Sequence, residues 1–121
     1  MKAIKDEGWQ IRREAYQTLG YTEQAFNDSR RLTRQEAYRT LGFTEEALKD
    51  EHWLIRREAY RTLGYTEQAF KDERWEIRQE AKIYLDFMNN TTLEDAPLHL
   101  NSENKTIALA AKHMLERSKL K

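Results

Sequence analysis

The stretch Asp50-Glu51-His52-Trp53-Leu54-Ile55-Arg56-Arg57-Glu58-Ala59-Tyr60, carried on through Thr62-Leu63-Gly64-Tyr65-Thr66-Glu67-Gln68-Ala69-Phe70, decides the fold because the chain contains it more than once. Asp6-Glu7-Gly8-Trp9-Gln10-Ile11-Arg12-Arg13-Glu14-Ala15-Tyr16 departs from the first part of it only at Gly8 and Gln10. A looser copy starts at Asp28, and another starts at Asp72 and decays beyond Leu85-Asp86-Phe87. The spacing of these aspartates sets a period of about 22 residues, and a fixed period of that length is the mark of a stacked array.

Each unit reads as a long helix, a glycine stop and a short helix. In the first, Asp6 stands as N-cap, and Trp9, Ile11, Ala15, Tyr16 and Leu19 form one broad apolar stripe at helical spacing. Gly20 ends the helix, since a helix C′ position favours the one residue that takes positive φ without steric cost. The aromatic after each stop (Tyr21, Phe43, Tyr65) is predicted to fold back over the last turn. Thr22, Thr44 and Thr66 then take the N-cap of the short helix, each followed by a glutamate at the positive end of the helix dipole. Ala25 with Phe26, Ala47 with Leu48, and Ala69 with Phe70 supply its apolar side. A lone unit cannot bury so wide a stripe, so neighbours stack and the ends need closing. Past Phe87, the segment Met88 to Leu100, with Asn89-Asn90-Thr91-Thr92 and Pro97, reads as an irregular connector. An amphipathic helix starting near Asn101 or Ser102 follows, carrying Ile107, Ala110, Ala111, Met114 and Leu115 toward the last unit and Lys112, Arg117, Lys119 and Lys121 at its C-terminal end. The organisation expected is an array over residues 1–92, with units near 6, 28, 50 and 72, then a connector and capping helix over 93–121.

Composition narrows the function. The chain has 121 residues, 39% of them hydrophobic, a length and an apolar content that allow one core or one short array. Lys+Arg and Asp+Glu both number 21, so no global field draws nucleic acid or anionic lipid. The N-terminal stretch Met1-Lys2-Ala3-Ile4-Lys5-Asp6 lacks the apolar core of a signal peptide, and the absence of cysteine fits a reducing compartment; the expected location is cytoplasmic, away from membranes.

The pattern Asp-x-x-Trp-x-Ile-Arg-x-x-Ala-x-x-x-Leu-Gly, present as Asp6/Trp9/Ile11/Arg12/Ala15/Leu19/Gly20 and Asp50/Trp53/Ile55/Arg56/Ala59/Leu63/Gly64, resembles HEAT-like repeats. The likeness is in particular to short bacterial variants related to phycobilisome-lyase-type HEAT repeats and leucine-rich-repeat variants. The resemblance implies an all-α fold, a right-handed HEAT-like alpha solenoid of about four helix-turn-helix units with a C-terminal capping helix. It also implies a ladder of charge-assisted bonds between neighbouring units, built from Asp6, Arg12, Asp28, Arg34, Asp50, Arg56, Asp72 and Arg78. A period this short cuts the first helix of each HEAT pair to two turns or less. The cysteine-ligated cluster of some leucine-rich-repeat variants cannot be carried over, and Asp86 in the glycine slot with Lys82 in the tyrosine slot marks an end unit.

No metal, phosphate-loop or nucleophile motif occurs, and His52, His99 and His113 lie in unrelated segments, so no catalytic, metal-binding or cofactor-binding residue is assigned. Glu14, Glu36, Glu58 and Glu80 share one helical position and read as solvated carboxylates pairing with Arg39 and Arg61 three residues on. Trp9, Trp53 and Trp75 read as packing residues, as do Tyr16, Tyr38 and Tyr60, whose hydroxyls are the part expected to reach a surface and a partner. Arg13, Arg39, Arg57 and Arg61 fall outside the ladder and line up as an outer ridge, either a binding row for an acidic surface or phosphates, or a solubilising face. The second unit breaks the pattern: Arg31 replaces Trp and Thr33 replaces Ile, next to Arg30, and such a fault is either a site or simple repeat decay.

These features point to a non-enzymatic protein–protein interaction module, an adaptor or an inhibitor, with another protein as partner. The alternatives are nucleic-acid binding through the arginine ridge with Arg30, Arg31 and Arg34, and a HEAT-like DNA-repair-type enzyme. The thinly capped N-terminal end adds self-association to the expectations.

Overall fold

The structure, a computed structural model, describes the backbone of residues 2–119 and the side chains of residues 8–119. Every regular element among the described residues is helical: α1 (Lys2–Leu19), α2 (Arg31–Leu41), α3 (Trp53–Leu63), α4 (Trp75–Asn90) and α5 (Lys105–Ser118), with short 3-10 segments at Glu23–Asn27, Glu45–Lys49, Glu67–Lys71 and Ala96–His99. The fold is therefore all-α, and among the described residues no helix is long and apolar enough to cross a membrane.

The glycine stops act through backbone geometry. Gly20, Gly42 and Gly64 hold φ of 98°, 108° and 102°, and their N–H groups close the last turn onto Tyr16, Tyr38 and Tyr60 carbonyls at 2.8 Å. Gly42 has ψ 144°, which lies beyond the left-handed helical region in conformational space open to glycine alone. The next aromatic then returns onto the helix: Tyr21 stacks on Tyr16 at 5.4 Å between centroids, Phe43 on Tyr38 at 5.6 Å, and Tyr65 on Tyr60 at 5.4 Å. At the glycine slot of α4 stands Asp86, and with no stop that helix runs on to Asn90.

The turns differ from the sequence reading in three ways. Thr22, Thr44 and Thr66 occupy N-cap positions with extended backbone, yet their side chains make no capping bond; their carbonyls accept the N–H groups of Ala25, Ala47 and Ala69 at 2.9–3.0 Å. α1 begins at Lys2, so Asp6 lies inside a helix instead of capping it, and its side chain falls outside the described residues. α5 begins at Lys105, where Asn104 is the cap: its side-chain oxygen takes the Thr106 and Ile107 N–H groups, a stronger cap than Asn101 or Ser102 provides further back. Lys121, assigned to that helix end, lies outside the described residues.

Two compact bodies divide the chain, one up to Arg56 and one from Arg57. In the first, α2 packs on the segment Glu23–Asn27. Ala25 and Ala37 are fully buried, and Phe26 stacks on Tyr38 at 4.2 Å. The α1 stripe is only partly covered there: Ile11 is 66% and Leu19 85% exposed, whereas Ile55 at the same repeat position in α3 has no exposed surface. In the second body α4 packs on α5 and on the segment Glu67–Lys71. Its core holds Ile77, Ala81, Tyr84, Ala110 and Ala111, all within 1% of full burial.

Candidate functional site

Three of the four arginines expected to form a ridge, Arg13, Arg57 and Arg61, meet carboxylates. In the second body Arg57 Nε donates to Glu80 Oε2 at 2.7 Å, Arg61 Nε donates to Oε1 at 3.0 Å, and Tyr65 Oη donates to the same Oε1 at 2.8 Å. In the first body Arg13 Nη2 lies 3.6 Å from Glu36 Oε1, and Tyr21 Oη donates to Glu36 Oε2. This corrects the reading of these glutamates as solvated carboxylates that pair within their own helix. Glu80 is 8% exposed, and both glutamates reach back to a preceding helix and its following aromatic. Burial pushes the Tyr65 phenol well above its ordinary value, with the Glu80 charge adding to it; burial and then Glu36 push Tyr21 up to about 12. Arg39 sits exposed in the last turn of α2.

The ladder residues make a second network. Arg12 Nε donates to Asp28 Oδ2 at 2.8 Å, and Arg34 Nε donates to Asp50 Oδ2 at 2.9 Å. Arg34 Nη1 also holds the Asp28 and Ser29 carbonyls at 2.9 and 3.2 Å, and Arg56 and Arg78 grip the carbonyls of Asp50 and Asp72 in the same way at 2.9 and 2.6 Å. Each of Asp28, Asp50 and Asp72 takes the N–H two residues on, from Arg30, His52 and Arg74, at 2.9 Å, which shapes the turn before each helix. Burial works against the Asp28 carboxylate, but the Arg12 bond and the Arg30 N–H outweigh it and hold its pKa below the ordinary value. Asp28 and Asp50 are thereby held in place, as are Arg12 and Arg34.

The irregular second repeat leaves space. Thr33 is buried, Leu32 is half exposed, and a cavity of about 220 Å³ opens between Trp9, Arg13, Arg30, Leu32, Thr33 and Glu36. Arg30, a sequence candidate for partner binding, closes over Trp9 with its guanidinium carbon 3.4 Å from the ring centroid. Arg31 is half-buried at the first position of α2. A wider cavity of about 470 Å³ lies between Glu23, Phe26, Asn27, Thr44, Glu45 and Glu46.

The tyrosines do not form a surface. Tyr38 is 3% and Tyr60 1% exposed, and half-buried Tyr16 is stacked under Tyr21, so these candidates serve packing. The histidines are dispersed. His52 accepts the Leu54 N–H on Nδ1 at 3.2 Å, His99 meets Phe87 edge-on, and buried His113 shares a 2.6 Å bond with Tyr84 Oη. Burial, then Arg117, holds His113 below its ordinary pKa. No group of three metal-ligating side chains is found among the described residues.

Two large aromatics stand open, Phe70 at 44% exposure and, further out, Trp75. Trp75, the first residue of α4, is 60% exposed and borders a cleft of about 360 Å³ with Arg57, Arg61, Glu76, Gln79, Ile83 and Lys105 among its walls. That exposure corrects the expectation that all three tryptophans fill the core. Glu76 Oε2 lies 3.2 Å from Arg74, while its Oε1 is buried without a hydrogen-bond partner among the described residues. The sequence carried a signal for this place that the repeat alignment alone did not weigh: the residue after Trp is glutamate here and Gln10 or Leu54 in the other Trp-bearing copies.

Comparison of the chain with protein-family models, curated proteins and solved structures gave no match. The functional reading rests on the geometry.

Proposed function

We propose that the chain is a non-enzymatic protein-binding module, an adaptor or inhibitor, built as a right-handed HEAT-like solenoid over residues 1–92 and closed by the connector and helix of 93–121. The observation that carries this reading is the open indole of Trp75 in its cleft. An exposed tryptophan beside Ile83 and the arginine stems is the composition of an interface anchor, and it is the residue type that contributes most when an interface closes over it. The engagement of Arg57 and Arg61 by the single Glu80, and of Arg13 by Glu36, favours a protein partner over nucleic acid, because the ridge charges that would meet phosphates are partly offset.

Affinity capture from the native cell tests it. Wild-type chain should retain a partner that Trp75→Ala loses, with far-UV circular dichroism unchanged. Capture that survives Trp75→Ala undiminished removes the cleft as the docking surface.

A further inference from the structure

We propose that the Trp75 cleft takes a cationic side chain, an arginine of a basic peptide segment, stacked on the indole and bonded to Glu76; this rests on the cleft being a docking surface. The chain contains its own precedent. Trp9 aligns with Trp75 in the sequence repeat, and its ring is covered by the Arg30 guanidinium at 3.4 Å. Arg30 is the N-cap of the next α-helix, and Arg74 stands at the same place after Trp53. After Trp75 the next α-helix is capped by Asn104, a neutral side chain on the wall of the same cleft, with no charge to offer. Half-buried Trp9 has its cover, and Trp75, at 60% exposure, does not.

The neighbouring carboxylate asks for the same chemistry. Glu76 lines the cleft with its side chain 23% exposed, and its turned-in Oε1 has no hydrogen-bond partner among the described residues; rotation of the carboxylate presents that unsatisfied acceptor to an incoming donor. The equivalent positions are Gln10, Leu32 and Leu54, so the carboxylate belongs to this cleft alone. A guanidinium supplies both a flat cationic face for the indole and N–H donors for the carboxylate, which a lysine ammonium does less well. The local cations do not pre-empt it: Arg57 and Arg61 are bonded to Glu80, and Arg74 lies on the other oxygen of Glu76. Arg57, Arg61 and Lys105 outnumber Glu76 and Glu80 on the cleft wall, which opposes an incoming cation and tempers the affinity. An acidic segment would meet Lys105 but would also set its charge against Glu76.

Fluorescence and calorimetric titration of the full chain with terminally blocked tetra-arginine, tetra-lysine and tetra-glutamate peptides tests the assignment. The arginine peptide should bind best. Trp75→Ala and the near-isosteric Glu76→Gln should each weaken it about tenfold, the scale of one cation–π contact or charge-assisted bond, while Lys105→Glu strengthens it. Preference for the glutamate peptide, lost in Trp75→Ala, would keep the docking surface and overturn the cationic occupant. Arginine-peptide binding indifferent to both Trp75→Ala and Glu76→Gln would overturn the site, and binding of no peptide would overturn the occupant while capture by Trp75 still tests the surface.

Discussion

Glu80 joins three donors, and its removal measures what the carboxylate hub contributes. Its side chain is 11% exposed, against 30% for Arg57 and 40% for Arg61, and Tyr65 Oη is the buried third partner. Truncation in Glu80→Ala leaves Tyr65 with an unsatisfied hydroxyl, a cost of about 1–3 kcal/mol. It also strands two guanidiniums. Breaking a fully buried pair costs roughly 3–5 kcal/mol, but both arginines are exposed enough to rehydrate, so only part of that applies and the expected total is about 3 kcal/mol. The same change at Glu36, which is 33% exposed with its Arg13 partner 48% exposed at 3.6 Å and its Tyr21 hydroxyl partner on a half-buried ring that can rehydrate, should cost only about 1 kcal/mol. Urea unfolding followed by far-UV circular dichroism compares the two, and 1 M salt should narrow the Glu36 effect more than the Glu80 effect, since screening acts on exposed pairs first. Equal losses in the two variants, or a Glu80→Ala loss below about 1 kcal/mol, would refute the claim that burial separates these otherwise equivalent glutamates.

Three further outcomes follow from the same geometry. Gly42→Ala and Gly64→Ala both force alanine to φ above +100°, a strain of about 1–3 kcal/mol, but a Cβ at Gly64 would also sit 2.9 Å from Tyr84 Oη and overlap Arg117 Nη2; melting temperatures should therefore fall further for Gly64→Ala. His113, beside Arg117, Lys112 and Glu116 and bonded to Tyr84, titrates below the ordinary 6.5 when folded, so the unfolded chain binds the proton first; stability is full above that value, declines as pH falls below it toward the folded pKa, and part of the decline should vanish in His113→Asn followed by urea titration. Thr33→Ile restores the residue type of Ile55 and Ile77 beside the cavity of about 220 Å³ and should raise stability by roughly 0.5–1.5 kcal/mol, read in the same unfolding assay.

What the sequence disclosed was local. A glycine after Leu, an aromatic after the glycine and an alanine three residues past the threonine each dictate their own geometry within a turn or two, and the stops, the stacked pairs Tyr16–Tyr21, Tyr38–Phe43 and Tyr60–Tyr65, and the buried Ala25, Ala47 and Ala69 were legible for that reason. The N-cap of α5 was misplaced because Asn101, Ser102 and Asn104 are chemically similar, and only the bonds to Thr106 and Ile107 choose among them. The candidate site was hidden by a different cause. Arg57 and Arg61 look free along their own helix, and their partner Glu80 lies about 20 residues away, beyond the reach of i,i+4 reasoning.

Repetition gives a means of separating these two levels. Where two copies keep the same residue but not the same surroundings, the difference belongs to packing alone. Ile11 and Ile55 are identical and lie at opposite extremes of burial, so the apolar stripe is a property of the repeat and its covering a property of the neighbour. The same comparison assigns the tryptophans. Trp9 has a guanidinium over it, Trp75 has none among the described residues, and the helix cap that would supply one is the neutral Asn104. A side chain whose cover is provided internally in one copy and withdrawn in another identifies both a surface and the chemistry that would complete it. Exposed Leu98, with no equivalent inside the array, supports no such deduction although it is more exposed than Trp75. Exposure alone is therefore a weak guide here; exposure together with an internal counterpart and an unsatisfied neighbouring acceptor is what singles out the Trp75 cleft.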